Sequence, residues 1–466
     1  MSSLLNDIKN ELSDTFDVKY RSINIGNSKA HLVYIDNICD SKYMSEFIIE
    51  PLINYKKDVD SLETIMESVL HSNDAELVAN AKEAVVKILK GSVVIVIESF
   101  DQAISCEAIG VAKRVVSIPE TEAVLKGPRE GFNENIVDNI SLLRRRINNE
   151  NLKFESYVMG EKTNTTVVIG YIKNTVDEKV LNYVKERINT VNYDYILDTN
   201  YIESILKEKN TLFDVIGHSE KPDKVASQLL EGKVAILVEG SPNVATVPYF
   251  FVENFQTGDD YYINRYYANF SRGIRWVAFM IATFLSAIYI AITTYHFSLI
   301  PIVFVFRFAV SRSGVPFPTF LEVLLMFLFF QLIKEAGTRL PQPIGQAMSI
   351  VGALILGDAA IGAGITSQTT VLIVALSSIS YFLIPKLYGG ITIWSLIMII
   401  FASLNGLPGF YVGLFMLITH LSSLKTCQYP YLFPLASYKK LKFKDMVYRK
   451  KLTTISRGIL KRNDTP

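Results

Sequence analysis

A chain of 466 residues is long enough for two or more domains, and its 47 Lys and Arg against 46 Asp and Glu leave a formal charge of +1. At 49% hydrophobic and 20% charged it averages like a soluble protein, yet the average hides two unlike halves: Lys, Glu, Asp and Asn abound up to about residue 272, and charges nearly vanish from 273 to 424. Its three cysteines (Cys39, Cys106 and Cys427) show neither pairing nor metal-ligand spacing, which argues against a disulfide framework and for reduced thiols in a cytosolic compartment.

Residues 1–60 mix helix-like and strand-like signals around the run HLVYI (31–35), and the first 30 lack the apolar core of a signal peptide, so the first half is expected to stay in the cytoplasm. Residues 61–90 show apolar positions at helical spacing. KGSVVIVIES (90–99) then reads as a buried strand, and EGKVAILVEGSP (231–242) repeats its design of glycine, apolar run and acid. Two origins fit that likeness, an internal duplication or two ordinary core strands.

Between them, KGPREGF (126–132) marks a turn, after which Asn133 or Asn135 caps a helix bearing Ile136, Ile140 and Leu143 on one face. TTVVIGYI (165–172) predicts a strand, 176–191 a helix, YDYIL (193–197) a strand and 201–209 a helix. That alternation belongs to an α/β unit. Arg129 and Glu130 in the turn fit an ion pair at a subdomain joint, or a contact to a partner or small anion.

The stretch 259–276 interleaves Tyr261, Tyr262, Tyr266, Tyr267, Phe270 and Trp276 with Arg265, Arg272 and Arg275, the content of a membrane interface. Such interleaving also suits single-stranded nucleic acid; the apolar run that follows favours the membrane. Residues 274–295 are long enough to cross about 30 Å of hydrocarbon. Further apolar stretches cover 344–365, 368–384, 391–404 and 408–424, the last two forming either a hairpin of spans or a re-entrant pair around NGLPG (405–409).

Region 297–340 fits no simple span: Arg307 and Arg312 interrupt it, Gly314, Pro316 and Pro318 break it, and a helix restarts near Pro318 with Glu322 in its first turn. Irregular backbone at membrane depth needs burial or a cavity, so this region is either a broken site-forming element or a hairpin lying at the interface. Residues 438–466 hold ten Lys and Arg against Asp445 and Asp464, which places the tail on the cytoplasmic side. With both ends inside, the crossings number four or six.

The whole therefore reads as a mixed fold: an N-terminal soluble α/β region of two subdomains (1–130 and 131–255), a polytopic α-helical membrane domain (256–424) and a basic cytoplasmic tail (425–466). The five histidines are scattered, no catalytic or metal-binding spacing emerges, and no dinucleotide or phosphate-loop glycine pattern follows a strand, so neither an enzyme nor a cofactor is expected.

In IVGALILGDAAIGAGIT (350–366), Gly352, Gly357 and Gly364 let helices approach closely. Asp358 sits among them, where an unshielded charge costs on the order of 3 kcal/mol. It is either a hydrogen-bonded acid inside the bundle or part of an ion path, since rings of carboxylates select cations. Gln346 and Glu322 are the other candidates for that path; Gln346 lies about 120° around a helix from Asp358.

GPREGF (127–132), EGSP (239–242), SRSGVPFPTFLEVLLM (311–326) and RLPQPIGQAMSIVGALILGDAAI (339–361) resemble the A subunit of GerA-type spore germinant receptors, over essentially residues 90–440. Phe327 departs from the acid that many relatives carry after Leu324-Leu325-Met326, which shifts any such role to Glu322 or Asp358. The resemblance implies a spore inner-membrane protein that initiates germination. It also implies work beside a transporter-like B subunit that binds the nutrient and a lipoprotein C subunit, with self-association and release of monovalent cations, and no nucleic acid. A secondary transporter subunit and a non-conducting scaffold are the alternatives.

Overall fold

Two apolar β-branched runs lie at the centres of two five-stranded antiparallel sheets. The structure, a computed structural model, describes residues 3–72, 74–110, 122, 124–190, 193–339, 352, 355–435, 445 and 447–455. In the first sheet β1 (Val18–Ile25), β2 (Ser28–Ile35), β3 (Ala75–Val78), β4 (Ser92–Ile97) and β5 (Ala103–Glu107) are ordered β1-β2-β4-β5-β3. The second, made of β6 (Leu152–Met159), β7 (Thr165–Ile172), β8 (Gly217–Ser219), β9 (Val234–Val238) and β10 (Val244–Val247), has the equivalent order β6-β7-β9-β10-β8.

Helices α1 (Ser3–Glu11), α2 (Leu62–Ser68) and α3 (Ala81–Leu89) accompany the first sheet. The second has α4 (Ile136–Arg146), α5 (Glu178–Thr190), α6 (Thr199–Leu206) and α7 (Pro222–Leu230). Every residue of β4 and β9 is buried, because helices or loops cover both faces, and so neither run alternates. Each follows a helix through a glycine at φ +96, Gly91 before β4 and Gly232 before β9, where a side chain would strain the backbone. The likeness of the two runs is thus matched by equal strand order and equal entry turns.

Two local expectations fail. Residues 61–90 are not all helical: α2 ends at Ser68, with Val69 as its cap, and Ala75–Val78 pairs with β5 as an edge strand. Tyr193–Leu197 is not a strand; Tyr193 and Asp194 carbonyls accept from Glu161 and Lys162, so the segment pairs with a turn outside the sheet. Asn135, one of the two expected caps, accepts from the Val137 amide and starts α4.

The two sheets are joined through a buried ion pair. Arg144 of α4 is 2% exposed and Asp17 is 1% exposed. Arg144 Nε donates to Asp17 Oδ2 (2.9 Å), Nη2 to Oδ1 (3.0 Å) and Nη1 to the Leu152 carbonyl (2.8 Å). Beside it Lys153 Nζ donates to the Ser13 carbonyl at 2.5 Å and the Phe16 amide to the Phe154 carbonyl at 3.2 Å. Burial pushes the three thiols of Cys39, Cys106 and Cys427 up to about 12, which leaves them packing groups, not nucleophiles.

The helical half comprises α8 (Asp259–Tyr262), α9 (Arg265–Thr294), α10 (Ile302–Ser311), α11 (Thr319–Arg339), α12 (Gln368–Phe382) and α13 (Tyr388–Ser423). Arg265–Thr294 and the stretch Pro385–Ser423 are long and apolar enough to cross a bilayer. The second does not run straight. Asn405 and Gly406 are non-helical, with Gly406 at φ +62, and the chain turns back there. A Cβ on Gly413 would stand 2.6 Å from Met398 Sδ and one on Gly409 would run into the Phe401 carbonyl, and the Trp394 and His420 rings are 5.4 Å apart. Residues this far apart in sequence meet only across two antiparallel arms, so 391–404 and 408–424 form a hairpin.

Tyr295 at the end of α9 donates to the Ser403 carbonyl at 2.6 Å, which puts the hairpin turn at the far end of the bundle. At the near end Gly390 packs on Phe213 and Thr211 bonds His420 at 3.2 Å. Between these ends α12 runs antiparallel to α9: Tyr289 bonds Thr370 (3.2 Å), Ser286 bonds Ser377 (3.1 Å) and Tyr381 donates to the Ala282 carbonyl (3.3 Å). One apolar core runs from Ile236 of β9 through Phe255 and Phe279 to Val374 and Met398, so the second sheet and the helices are packed as one body.

Removing one partner of the Arg144–Asp17 pair leaves a buried charge uncompensated. Asp17→Ala is expected to cost about 3–5 kcal/mol, read as a lower denaturation midpoint of the purified chain. Arg144→Met combined with Asp17→Leu should recover most of that loss; a double variant as unstable as the single would refute the buried-charge account.

Candidate functional site

Glu322 is the carboxylate on which the helical half converges. Pro318 precedes α11, and the Leu321 and Glu322 amides donate to its carbonyl, which starts the helix with Glu322 in its first turn. The side chain is fully buried. Its Oε1 accepts from Arg312 Nε at 3.2 Å; its Oε2 accepts from the Ser367 amide at 2.9 Å and the Thr370 hydroxyl at 3.0 Å. The Thr370 hydroxyl also bonds Tyr289 of α9. Ser367 is the cap of α12, so the negative charge sits at a helix N-terminus, where the unsatisfied amides favour it. One carboxylate thereby ties the end of α10, the start of α11 and the start of α12. Its lone pairs are engaged inside the chain, and the sequence pattern had marked Arg312 only as an interruption.

The structure places Asp358 elsewhere. It is exposed on the helical run 355–362, whereas Gly357 and Ala360 are buried. A Cβ on Gly357 would stand 3.7 Å from Val371 of α12, and one on Gly352 would stand 3.9 Å from Ile333 of α11. Gly364, at φ +66, is 3.2 Å by the same measure from the Gly314 carbonyl. The glycines therefore face neighbours within the chain and Asp358 faces outward, not toward Glu322. Gln346 lies outside the described residues.

The turn at 127–132 does not join Arg129 to Glu130. Glu130 accepts from Arg146 at 2.6 Å, while Arg129 is exposed. Gly127 packs on the Tyr262 ring, the Pro128 carbonyl accepts from Lys221 (3.1 Å), and the Leu125 amide donates to Asp259 (2.9 Å). The segment is thus strapped to α8, just before the long helix.

There a second buried cluster forms. Asp260 accepts from Arg272 Nε at 2.8 Å and from Arg275 at 2.9 Å through both of its oxygens. Arg272 Nη1 also donates to Asp445 Oδ1 at 2.6 Å, and the Tyr261 hydroxyl donates to Asp445. Arg449 donates to the Asp260 and Ile263 carbonyls, and its own amide donates to Asn269 Oδ1 at 2.6 Å. Asp260 and Arg272 are fully buried. Burial alone would raise the Asp260 carboxyl; Arg275 and Arg272 hold it below its ordinary range. The two arginines expected in lipid headgroups, Arg272 and Arg275, are therefore turned inward, and Asp445 and Arg449 of the tail are held against the first turns of α9. No local signal paired residue 272 with residue 445.

Beside this cluster lies a cavity of about 460 Å³ lined by Glu231, Lys233, Glu253, Tyr261, Lys386 and Asp445, among others. Burial raises the Glu231 carboxyl to about 7; Lys233 pulls it down, and Glu253 and Asp445 push it further up.

Comparison with known proteins agrees along nearly the whole chain. The family described as Bacillus/Clostridium GerA spore germination protein matches residues 6–458. Spore germination protein KA of Bacillus subtilis (strain 168) is 36% identical over 452 residues, covering 95% of this chain and 83% of that protein. The uncharacterized membrane protein YfkQ of the same organism is 34% identical over 95% of this chain and 87% of its own length. Spore germination protein GerLA of Bacillus cereus is 31% identical over 93% and 89%. Among solved structures, the N-terminal domain of the A subunit of the Bacillus megaterium spore germinant receptor GerK3 is 26% identical, with a TM-score of 0.42 over 53% of this chain and 94% of that one.

Glu231 supplies a pH prediction. Between its ordinary range near 4.5 and about 7 the folded chain keeps a proton that the unfolded chain has released. Stability should fall as pH rises through that window, and Glu231→Gln should flatten the fall in a Tm-against-pH series. An unchanged slope in the variant would contradict the burial of this acid.

Proposed function

The chain belongs to the Bacillus/Clostridium GerA spore germination protein family, and on that premise we propose that it is the A subunit of a nutrient germinant receptor in the spore inner membrane, acting as an oligomeric, ligand-gated cation channel. The observation that carries the germination role is the match over residues 6–458, which includes both the α/β half and the helical half. B and C subunits are its partners in this reading.

In this reading α9, α11, α12 and the two arms of α13 cross the membrane and both termini are cytoplasmic; the sixth crossing is taken from the apolar composition of 344–365 alone, a stretch that lies partly outside the described residues. The ten residues of α10 extend only about 15 Å, too short to cross, and both ends of α10 lie on the side of Tyr295. Asp358 supports the conducting part of the reading, because an exposed carboxylate on a small-residue helix fits a ring around a shared lumen. Glu322 has a different part: it holds α10 to α12 through Arg312 and sets the spacing of the helices around that lumen.

The test is nutrient-triggered ion release from the receptor reconstituted in vesicles. Asp358→Asn is expected to cut cation flux roughly tenfold, the equivalent of ~1.4 kcal/mol of barrier. Glu322→Gln should lower flux by altering opening while leaving ion selectivity unchanged. Saturable substrate uptake in place of bulk ion release would favour a secondary transporter, and germination without any flux through this chain would favour a scaffold.

A further inference from the structure

The buried cluster at the foot of α9 sorts charge by sign. On the segments it joins, the acids turn inward: Asp260 and Asp445 are buried among arginines, and Asp259 accepts from the Leu125 amide. Among the described residues of these segments, the basic side chains left outside are Lys450 and Lys451, both exposed, and Arg265, which lies 5.1 Å from the centre of the Tyr266 ring. The tail is held there by backbone bonds in both directions, Arg449 amide to Asn269 Oδ1 and Asn269 Nδ2 to the Arg449 carbonyl (3.3 Å).

Next to that docked segment the first turns of α9 expose large rings. Tyr266 is 73% exposed, Tyr267 62% and Phe270 65%, and the tail adds the exposed Val447, Tyr448 and Leu452. At 100° per residue Tyr266, Phe270 and Val277 fall within about 40° of one line, and Asn269, which holds the tail, is about 60° from Tyr266. Counting back from Thr294, about 30 Å of hydrocarbon uses about 20 residues and ends near Ile274. Phe270, Tyr267 and Tyr266 then lie roughly 6–12 Å outside it, at headgroup depth, with Lys450 and Lys451 alongside.

We propose that Tyr266, Tyr267 and Phe270 of α9, with Lys450 and Lys451 of the docked tail, form a collar that binds anionic phospholipid headgroups of the cytoplasmic leaflet. The inference rests on the membrane reading above and adds to it a lipid preference and a role for the tail. The Tyr266 and Tyr267 rings, apolar on their faces and polar at the hydroxyl, suit that depth, Phe270 adds apolar contact beside them, and each lysine there strengthens attachment to an anionic surface about fivefold. The Arg449 clamp keeps both lysines on the membrane side, so the headgroups also bear on the cluster that contains Asp260.

The full chain is placed in nanodiscs of phosphatidylcholine, alone or mixed with phosphatidylglycerol, and hydrogen exchange of residues 447–452 is followed. Exchange is expected to be more than tenfold slower in the anionic discs. The difference should disappear at high salt and in the Lys450→Gln/Lys451→Gln variant, which leaves the Arg449 clamp intact. Equal exchange in the two discs, or protection that ignores salt, overturns the proposal; so does equal protection by a single-stranded oligonucleotide in neutral discs, which would reassign the collar to nucleic acid. Failure of the chain to enter either disc contradicts the membrane reading itself, and the collar with it.

Discussion

The structure depends on Asp260 and the arginines around it. A carboxylate with no exposed surface is tolerable only with opposite charge and hydrogen bonds on every side; Arg272, Arg275 and Thr257 provide that, while Arg272 also bonds Asp445 of the tail and Arg449 donates to the Asp260 backbone carbonyl. Because those groups come from the start of α9 and from the tail, while Asp260 itself follows the second sheet, satisfying one acid fixes three parts of the chain together. The stacked rings of Phe255 and Trp276, 3.8 Å apart, seal the same junction from its apolar side. The α/β half and the root of the first long helix are therefore joined by packed and ion-paired contacts.

A comparable device operates at the far end. Glu322 collects Arg312, the Ser367 amide and Thr370, so the break at Gly314, Pro316 and Pro318 is held in one arrangement. Irregular backbone inside a helical bundle needs such partners. Between the two clusters, the antiparallel contacts of α9 with α12 use hydroxyls and small side chains, which permit close approach with few alternative packings.

How much of this was legible varies with the range of the interaction. The central strands β4 and β9, the Asn135 cap and the restart of α11 before Glu322 follow from local pattern, because the residues that cause them are neighbours. The repeated design of the two central strands was visible too, although only the equal strand order gives it architectural meaning. Ala75–Val78 was hidden because an edge strand of four residues sits inside an otherwise helical apolar period. Tyr193–Leu197 looked like a strand because β-propensity describes a half-buried surface and not a ladder partner. The pairing of Arg272 with Asp445 and of Arg312 with Glu322 had no sequence signal, since each depends on how distant segments are brought together. A charge bordering a span reads as a headgroup contact until its buried partner is seen.

The central proposal is that this chain is the conducting subunit of a nutrient receptor, its two halves joined at the Asp260 cluster. Single-channel recording of the receptor reconstituted with this chain tests it most directly. The account predicts discrete cation currents on nutrient addition that are absent when this chain is omitted. Currents of equal size without the chain, or a complete receptor that stays silent with nutrient, would contradict it.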